Sequence, residues 1–157
     1  MVVGLLLRLA LESHTRCAEI LGGLPVTHWA TVPSLPPKPY AHPLRGLVVI
    51  QAQGAEAPLV AAAGAQQPRA VSADHFTCTV PLPSGSHVLL IDDTWATGGH
   101  AQSAVLALRE AGATRVSVLV VARWLKENYG DNKQFITDMR TRDFNTRVCP
   151  WSGGNCP

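Results

Sequence analysis

The stretch Val88-Leu89-Leu90-Ile91-Asp92-Asp93-Thr94-Trp95-Ala96-Thr97-Gly98-Gly99-His100 governs how the rest of the chain is read. Its first four residues are a continuous apolar run, the pattern of a strand buried on both faces of a parallel sheet. Two adjacent carboxylates, Asp92 and Asp93, follow at the point where that strand leaves the sheet. Open α/β sheets bind ligands at that end. Carboxylates placed there accept hydrogen bonds from vicinal hydroxyls. The turn formed by Ala96, Thr97, Gly98, Gly99 and His100 is suited to wrap an anion. Glycine lets the backbone come close, Thr97 offers a hydroxyl, and the N–H groups that open the next helix point at the charge.

Downstream, Ala101, Ala104, Val105, Leu108 and Ala111 recur at helical spacing, and Gly112 closes the helix. Residues 116–122 are a second continuous apolar run. Strand, turn, helix and strand over residues 87–122 make a βαβ unit, which predicts a parallel sheet with a right-handed crossover. Upstream, a helix is predicted over 3–21, with Leu5, Leu9, Cys17, Ile20 and Leu21 on a broad buried face shared with Leu6 and Ala10. Gly22-Gly23 stop it. A short strand is expected over 28–32. Prolines at 33, 36, 37, 39 and 43 make the next segment an extended, semi-rigid loop. Residues 44–52 read as helix, 58–63 as a strand, 66–73 as a polar loop, and 84–86 as the turn into the motif strand. Residues 126–145 are polar, with one weak helical piece over 134–140. The expected organisation is an α/β core over 1–125 and a polar C-terminal extension, or tail, over 126–157.

The chain has 157 residues, 46% hydrophobic and 15% charged, which suits one folded domain with a full core and excludes a disordered chain. A net charge of +2 gives no strong nucleic-acid signal. Residues 1–114 carry six basic and seven acidic side chains, and residues 115–157 carry seven and four, so the C-terminal part is mildly basic and reads as a solvated surface. No apolar run is long enough for a membrane span. The apolar start is interrupted by Arg8 and Glu12 and is a poor signal peptide, so a cytoplasmic location is expected. Cys17, Cys78, Cys149 and Cys156 are scattered without a Cys-x-x-Cys pair, which argues against a disulfide framework. Cys149 and Cys156 bracket a Gly-Gly turn. They could clamp zinc with two further ligands, or bridge if oxidised, but no nearby histidine completes a set of four, and a disordered or capped tail is the expected reading. His14 and His28 read as ordinary surface or core residues.

The motif resembles the phosphoribosyl pyrophosphate (PRPP) signature of the type I phosphoribosyltransferases: an apolar strand, two acidic residues, two aliphatic residues, then a Thr/Ser-Thr-Gly-x-Thr/Ser loop. A double carboxylate after a strand also marks magnesium-binding receiver domains, but there the strand lies near the N-terminus and no Thr-Gly-Gly follows. The hydrolase pattern Asp-x-Asp-x-Thr and the Walker ending Gly-Lys-Ser/Thr are absent. An ordinary α/β turn is the competing reading. The resemblance implies a parallel sheet flanked by helices, with a minimal or absent hood. It implies that Asp92 and Asp93 bind the ribose hydroxyls, and that the loop from Thr94 and Trp95 through Ala96, Thr97, Gly98, Gly99 and His100 binds the 5-phosphate. Thr94 and Trp95 depart from the aliphatic pair. Ala96 replaces a hydroxyl residue or the catalytic acid of purine-salvage members, which argues against 6-oxopurine chemistry, and His100 replaces the closing Thr or Ser.

The order His28-Trp29-Ala30-Thr31-Val32-Pro33, a basic loop, then His42-Pro43-Leu44-Arg45 is similar to the ComF-like, competence-associated branch of that superfamily, and to its actinobacterial members. The likeness is firm over 87–123 and loose over 24–124. It implies that Ser34, Lys38 and Arg45 face the pyrophosphate and that Arg69 belongs to a flexible catalytic loop. Members of that branch usually begin with a cysteine-rich zinc module, whereas the first cysteine here is Cys17. The expected activity is pentosyl transfer from PRPP, or another ribose 5-phosphate, to a nitrogen nucleophile. Mg2+ would be carried by the ligand without direct protein ligands. His75 and His100 are candidate bases by residue type alone. Trp95 is placed to stack on a base or shield the ribose. A second expectation is a non-catalytic module that senses PRPP or a nucleotide at the same site, perhaps in DNA uptake, with a protein partner or as a homo-oligomer. A third is a fragment that folds only with a partner.

Overall fold

The computed structural model describes residues 2–65, 67 and 69–157. In chain order the elements are α1 (Val2–Gly22), β1 (His28–Thr31), α2 (Pro43–Val48), β2 (Ala55–Glu56) and β3 (Leu59–Ala61). A 3-10 turn at Ala73–His75 precedes β4 (Phe76–Cys78), β5 (His87–Trp95), α3 (Gly99–Glu110), β6 (Arg115–Arg123) and α4 (Asn132–Arg140). The main sheet has the order β2-β1-β5-β6 and is parallel throughout. β3 and β4 form a separate antiparallel pair. The expected βαβ unit is therefore present, with β5 as an inner strand between β1 and β6. Of the polar loop at 66–73, Gln66 and Pro68 lie outside the described residues.

Side chains on β5 alternate between two cores. Val88 and Leu90 face α3, where Ala104, Ala107 and Leu108 join Phe76 of β4. Leu89 and Ile91 face Leu7 and Leu11 of α1, Leu44 and Val48 of α2, Trp29 and Leu119. Leu90, Ile91 and Leu108 are fully buried. Each such side chain stabilises the fold by about 1.5–3 kcal/mol relative to an exposed one. Burial on both faces is why the motif strand reads as an unbroken apolar run and not as an alternating one.

Three expectations shift. The motif strand does not stop at Ile91 but continues to Trp95, because β6 runs alongside it from Arg115 to Arg123. The buried stripe of α1 is Leu7, Leu11, His14, Cys17 and Ala18, while Leu5, Ile20 and Leu21 are exposed. Arg8, Glu12, Thr15, Arg16 and Glu19 share the opposite, polar face, and the apolar set expected to point inward is wider than the stripe that is buried. The helix expected over 44–52 ends at Val48. The β-branched run Val48-Val49-Ile50 opposes continuation, and the chain turns there. After β6 the chain is largely exposed: α4 buries no residue, and Cys149 is the one buried residue among those described from 126 to 157. No described helix is long and apolar enough to cross a membrane.

Candidate functional site

β1 ends one step before the acidic pair. Its last residue, Thr31, pairs with Ile91, and the Val32 N–H still donates to the Ile91 carbonyl at 3.0 Å. Beyond that point β5 keeps only β6 as a neighbour, and the chain leaving β1 becomes the proline-rich loop. The result is a cleft of about 290 Å³ that brings together Ser34, Lys38, His42, Asp92, Asp93 and His100. Strand alternation then separates the two acids. Asp92 continues the Val88–Leu90 side, toward α3, and Asp93 the Leu89–Ile91 side, toward α2.

Asp93 meets His42, to which the sequence assigns no role beyond its place in the family resemblance. His42 caps α2, its Nδ1 accepting the Leu44 N–H at 3.2 Å, and its Nε2 lies 3.5 Å from the Asp93 carboxylate. An accepting Nδ1 leaves the ring proton on Nε2, facing the acid. The available signal was a histidine directly before Pro43, the N-cap position ahead of a proline at the first helical position. Asp92 is more enclosed, only 8% exposed. Burial, and next the charge of Asp93, push its carboxyl up to about 6, against a pull downward from the Asp93 and Thr94 N–H groups. Two carboxylates in that condition suit a ligand that brings hydroxyl donors or a hard cation to their oxygens.

The loop after β5 is shaped by its two glycines. Gly98 has a φ of 82°, in the left-handed region, and the Trp95 ring lies against it where a Cβ would stand. At Gly99 the space for a Cβ is taken by the backbone carbonyls of Arg69 and Ala70. Both positions therefore require glycine. The first helical bond of α3 runs from the Gln102 N–H to the Gly98 carbonyl at 2.9 Å, so the Thr97, Gly98 and Gly99 amides stand ahead of the ladder. No acidic residue occupies the first turn of α3. Ala96 and Thr97 are exposed, as is Thr94. Trp95 thus closes on its own loop instead of projecting into the cleft.

The remaining predicted residues are distributed unevenly. Arg69 is exposed, and its backbone passes against the start of α3. The segment is fastened there by Ser103, whose hydroxyl accepts the Ser72 N–H at 2.9 Å and lies 3.3 Å from His75 Nδ1. His75 is accordingly buried beside α3, outside the cleft, whereas His100 lines the cleft with its ring edge-on to Phe76. Lys38 is exposed with its ammonium 5.8 Å above the Tyr40 ring. Arg45 is not brought to the acidic pair. Its guanidinium makes two bonds to Glu56, at 2.6 and 2.7 Å, in a neighbouring hollow across the proline loop.

No family profile and no curated protein sequence matches the chain. Among solved structures, an adenine phosphoribosyltransferase aligns with a TM-score of 0.50 at 17% identity, over 87% of this chain and 74% of that one. The likeness is one of fold: an α/β domain whose parallel sheet is flanked by helices in the manner of a phosphoribosyltransferase.

Proposed function

We propose that this chain binds PRPP, or another ribose 5-phosphate, at the carboxyl end of β5. The observation that carries the reading is the convergence of Asp92, Asp93 and His100, the residue that follows the glycine loop, on one cleft directly past the last residue that β1 pairs. Asp92 and Asp93 accept hydrogen bonds from the ribose 2- and 3-hydroxyls. The Thr97 hydroxyl and the amides of 97–99 hold the 5-phosphate at the positive end of α3. Ser34 and Lys38 face the diphosphate from the proline-rich loop. Mg2+ carried by the ligand would supply charge neutralisation to the leaving group, with no direct protein ligand. In the transfer reaction a nitrogen nucleophile bonds to the anomeric carbon as its bond to the pyrophosphate oxygen breaks, and the pyrophosphate departs with that electron pair. His28 to Pro33 and His42 to Arg45, on either side of the proline-rich loop, support placement in the ComF-like branch.

A second reading has an observation of its own. The cation expected beside the leaving group, Arg45, is held by Glu56. Negative charge builds on pyrophosphate as the bond breaks, and catalysis needs donors there. A site rich in ribose and phosphate contacts but sparse in leaving-group cations suits a sensor that binds without turnover, in the cytoplasm and alongside a protein partner or a second copy.

Calorimetric titration with PRPP and Mg2+ tests the site. Saturable binding by the wild type, lost in Asp92→Asn/Asp93→Asn, is the expected result. A well-folded wild type that takes up no heat with PRPP would refute the ribose-phosphate reading. Pyrophosphate release over a panel of bases and amines then separates enzyme from sensor.

A further inference from the structure

The four residues that the sequence scattered or set aside meet in space. His14 and Cys17 lie three apart on α1, hence on one face of the helix. The C-terminal turn brings Cys149 and Cys156 to that face. The candidate ligand atoms of all four lie within 4.8 Å of one another. His14 Nδ1 is 3.9 Å from the Cys17 sulfur and 3.4 Å from the Cys156 sulfur. A tetrahedral zinc ion with ordinary Zn–S and Zn–N bonds sets S···N edges of about 3.6 Å. The measured separations bracket that value. His14, Cys17 and Cys149 are buried and Cys156 is exposed, so the set is closed on three sides.

We propose that His14, Cys17, Cys149 and Cys156 form a structural Zn2+ site that staples the C-terminal tail to α1. The donor set, three sulfurs and one imidazole nitrogen, is one that zinc favours over hard cations, and four protein ligands leave no open position for catalysis. Two backbone bonds, Cys149 N–H to the Gly154 carbonyl and Gly153 N–H to the Cys149 carbonyl, both 2.9 Å, close the turn. The tail has need of such a tie. Cys149 is its one buried described residue; Trp151 packs half-buried against the core beneath α1, and Phe144, Val148 and Pro150 rim a cavity of about 140 Å³ against α1 and β6. Segments short of apolar burial are commonly held by a metal or a disulfide.

The site is independent of the ribose-phosphate reading and is tested apart from it. The full chain, purified under reducing conditions, is assayed for zinc and then reloaded with Co2+. One metal per chain is expected, with the visible spectrum of tetrahedral, thiolate-ligated cobalt. Cys17→Ser and Cys149→Ser should lose the bound metal, and His14→Cys should keep it with a spectrum shifted to four thiolates. That last variant separates ligand loss from misfolding. Asp93→Asn should bind metal as the wild type does. Chelation of the wild type should expose residues 126–157 to protease while 1–123 stays resistant. A folded wild type without metal, or a mass two daltons low from a Cys149–Cys156 or Cys17 disulfide, overturns the proposal. So does a tail equally resistant with and without metal.

Discussion

The two walls of the cleft are built in opposite ways. One wall is the end of β5 and the start of α3, backed by two cores in which Leu90, Ile91, Ala104 and Leu108 have no exposure. Its functional groups are short carboxylates, a hydroxyl and backbone amides, all placed by the main chain. The other wall is the proline-rich loop, exposed from 36 to 41. Its cations sit on long side chains whose positions depend on local partners, Tyr40 for Lys38 and Glu56 for Arg45. On the proposed reading the rigid wall would hold a sugar and its phosphate, which need fixed geometry. On the same reading the adaptable wall would face the diphosphate, where charge matters more than shape. If the chain transfers the sugar, binding and turnover would rest on different walls, and variants of the two walls should fail differently.

The largest effect is expected behind the rigid wall. Leu90→Ala leaves a cavity between β5 and α3 and should cost about 3 kcal/mol. For a domain of this size that is a fall in Tm of roughly 6–12 °C, read by thermal unfolding. A fall of a degree or two would break the contrast, because the acids would then not rest on a packed strand. The next effect has the opposite sign. Asp92 titrates near 6 in the folded chain against an ordinary 3.8. Between those values the folded state holds a proton that the unfolded state has lost, so stability falls as pH rises through the window. At neutral pH the ionised acid costs on the order of 3 kcal/mol. Asp92→Asn should therefore match the wild type below pH 3.8, gain on it up to about pH 6, and hold a constant advantage above. Denaturant midpoints over that range check it. The same variant should bind no PRPP, and stability gained with binding lost would identify the strain as functional.

Much of the rigid wall was legible in the sequence because it consists of local patterns. The apolar run of β5, the acidic pair, the glycine turn and the spacing of Ala101, Ala104, Leu108 and Ala111 fall within a few turns of chain. The adaptable wall was not, since its partners are chosen in three dimensions. Arg45 reads as an available cation until β2 sets Glu56 next to it, and a strand of two residues leaves no periodic signal. His42 reads as loop until strand alternation turns Asp93 toward it. The same holds for His14, whose approach to Cys156 spans 142 residues of sequence. The inner stripe of α1 is narrower than its apolar content suggests: Leu5, Ile20 and Leu21 are exposed although Arg8, Glu12, Thr15, Arg16 and Glu19 already mark a polar face.

The smallest expected effect is the most informative about turnover. The Arg45–Glu56 pair is partly exposed, with 51% and 21% of the two side chains accessible. Glu56→Gln should change stability by less than about 1 kcal/mol. It frees a guanidinium next to Ser34 and Lys38, which line the same hollow. Affinity for Mg2+-pyrophosphate should then rise by roughly three-fold at low salt and less at high salt, as expected for an exposed charge. In an Arg45→Ala background the Glu56→Gln change should have no effect on that affinity, since the cycle removes the group it acts through. If the affinity rises equally in both backgrounds, removal of the Glu56 charge alone accounts for it and Arg45 has no part. If it rises only where Arg45 is present, the second wall already holds the cation that transfer chemistry requires, kept off the leaving group by one carboxylate.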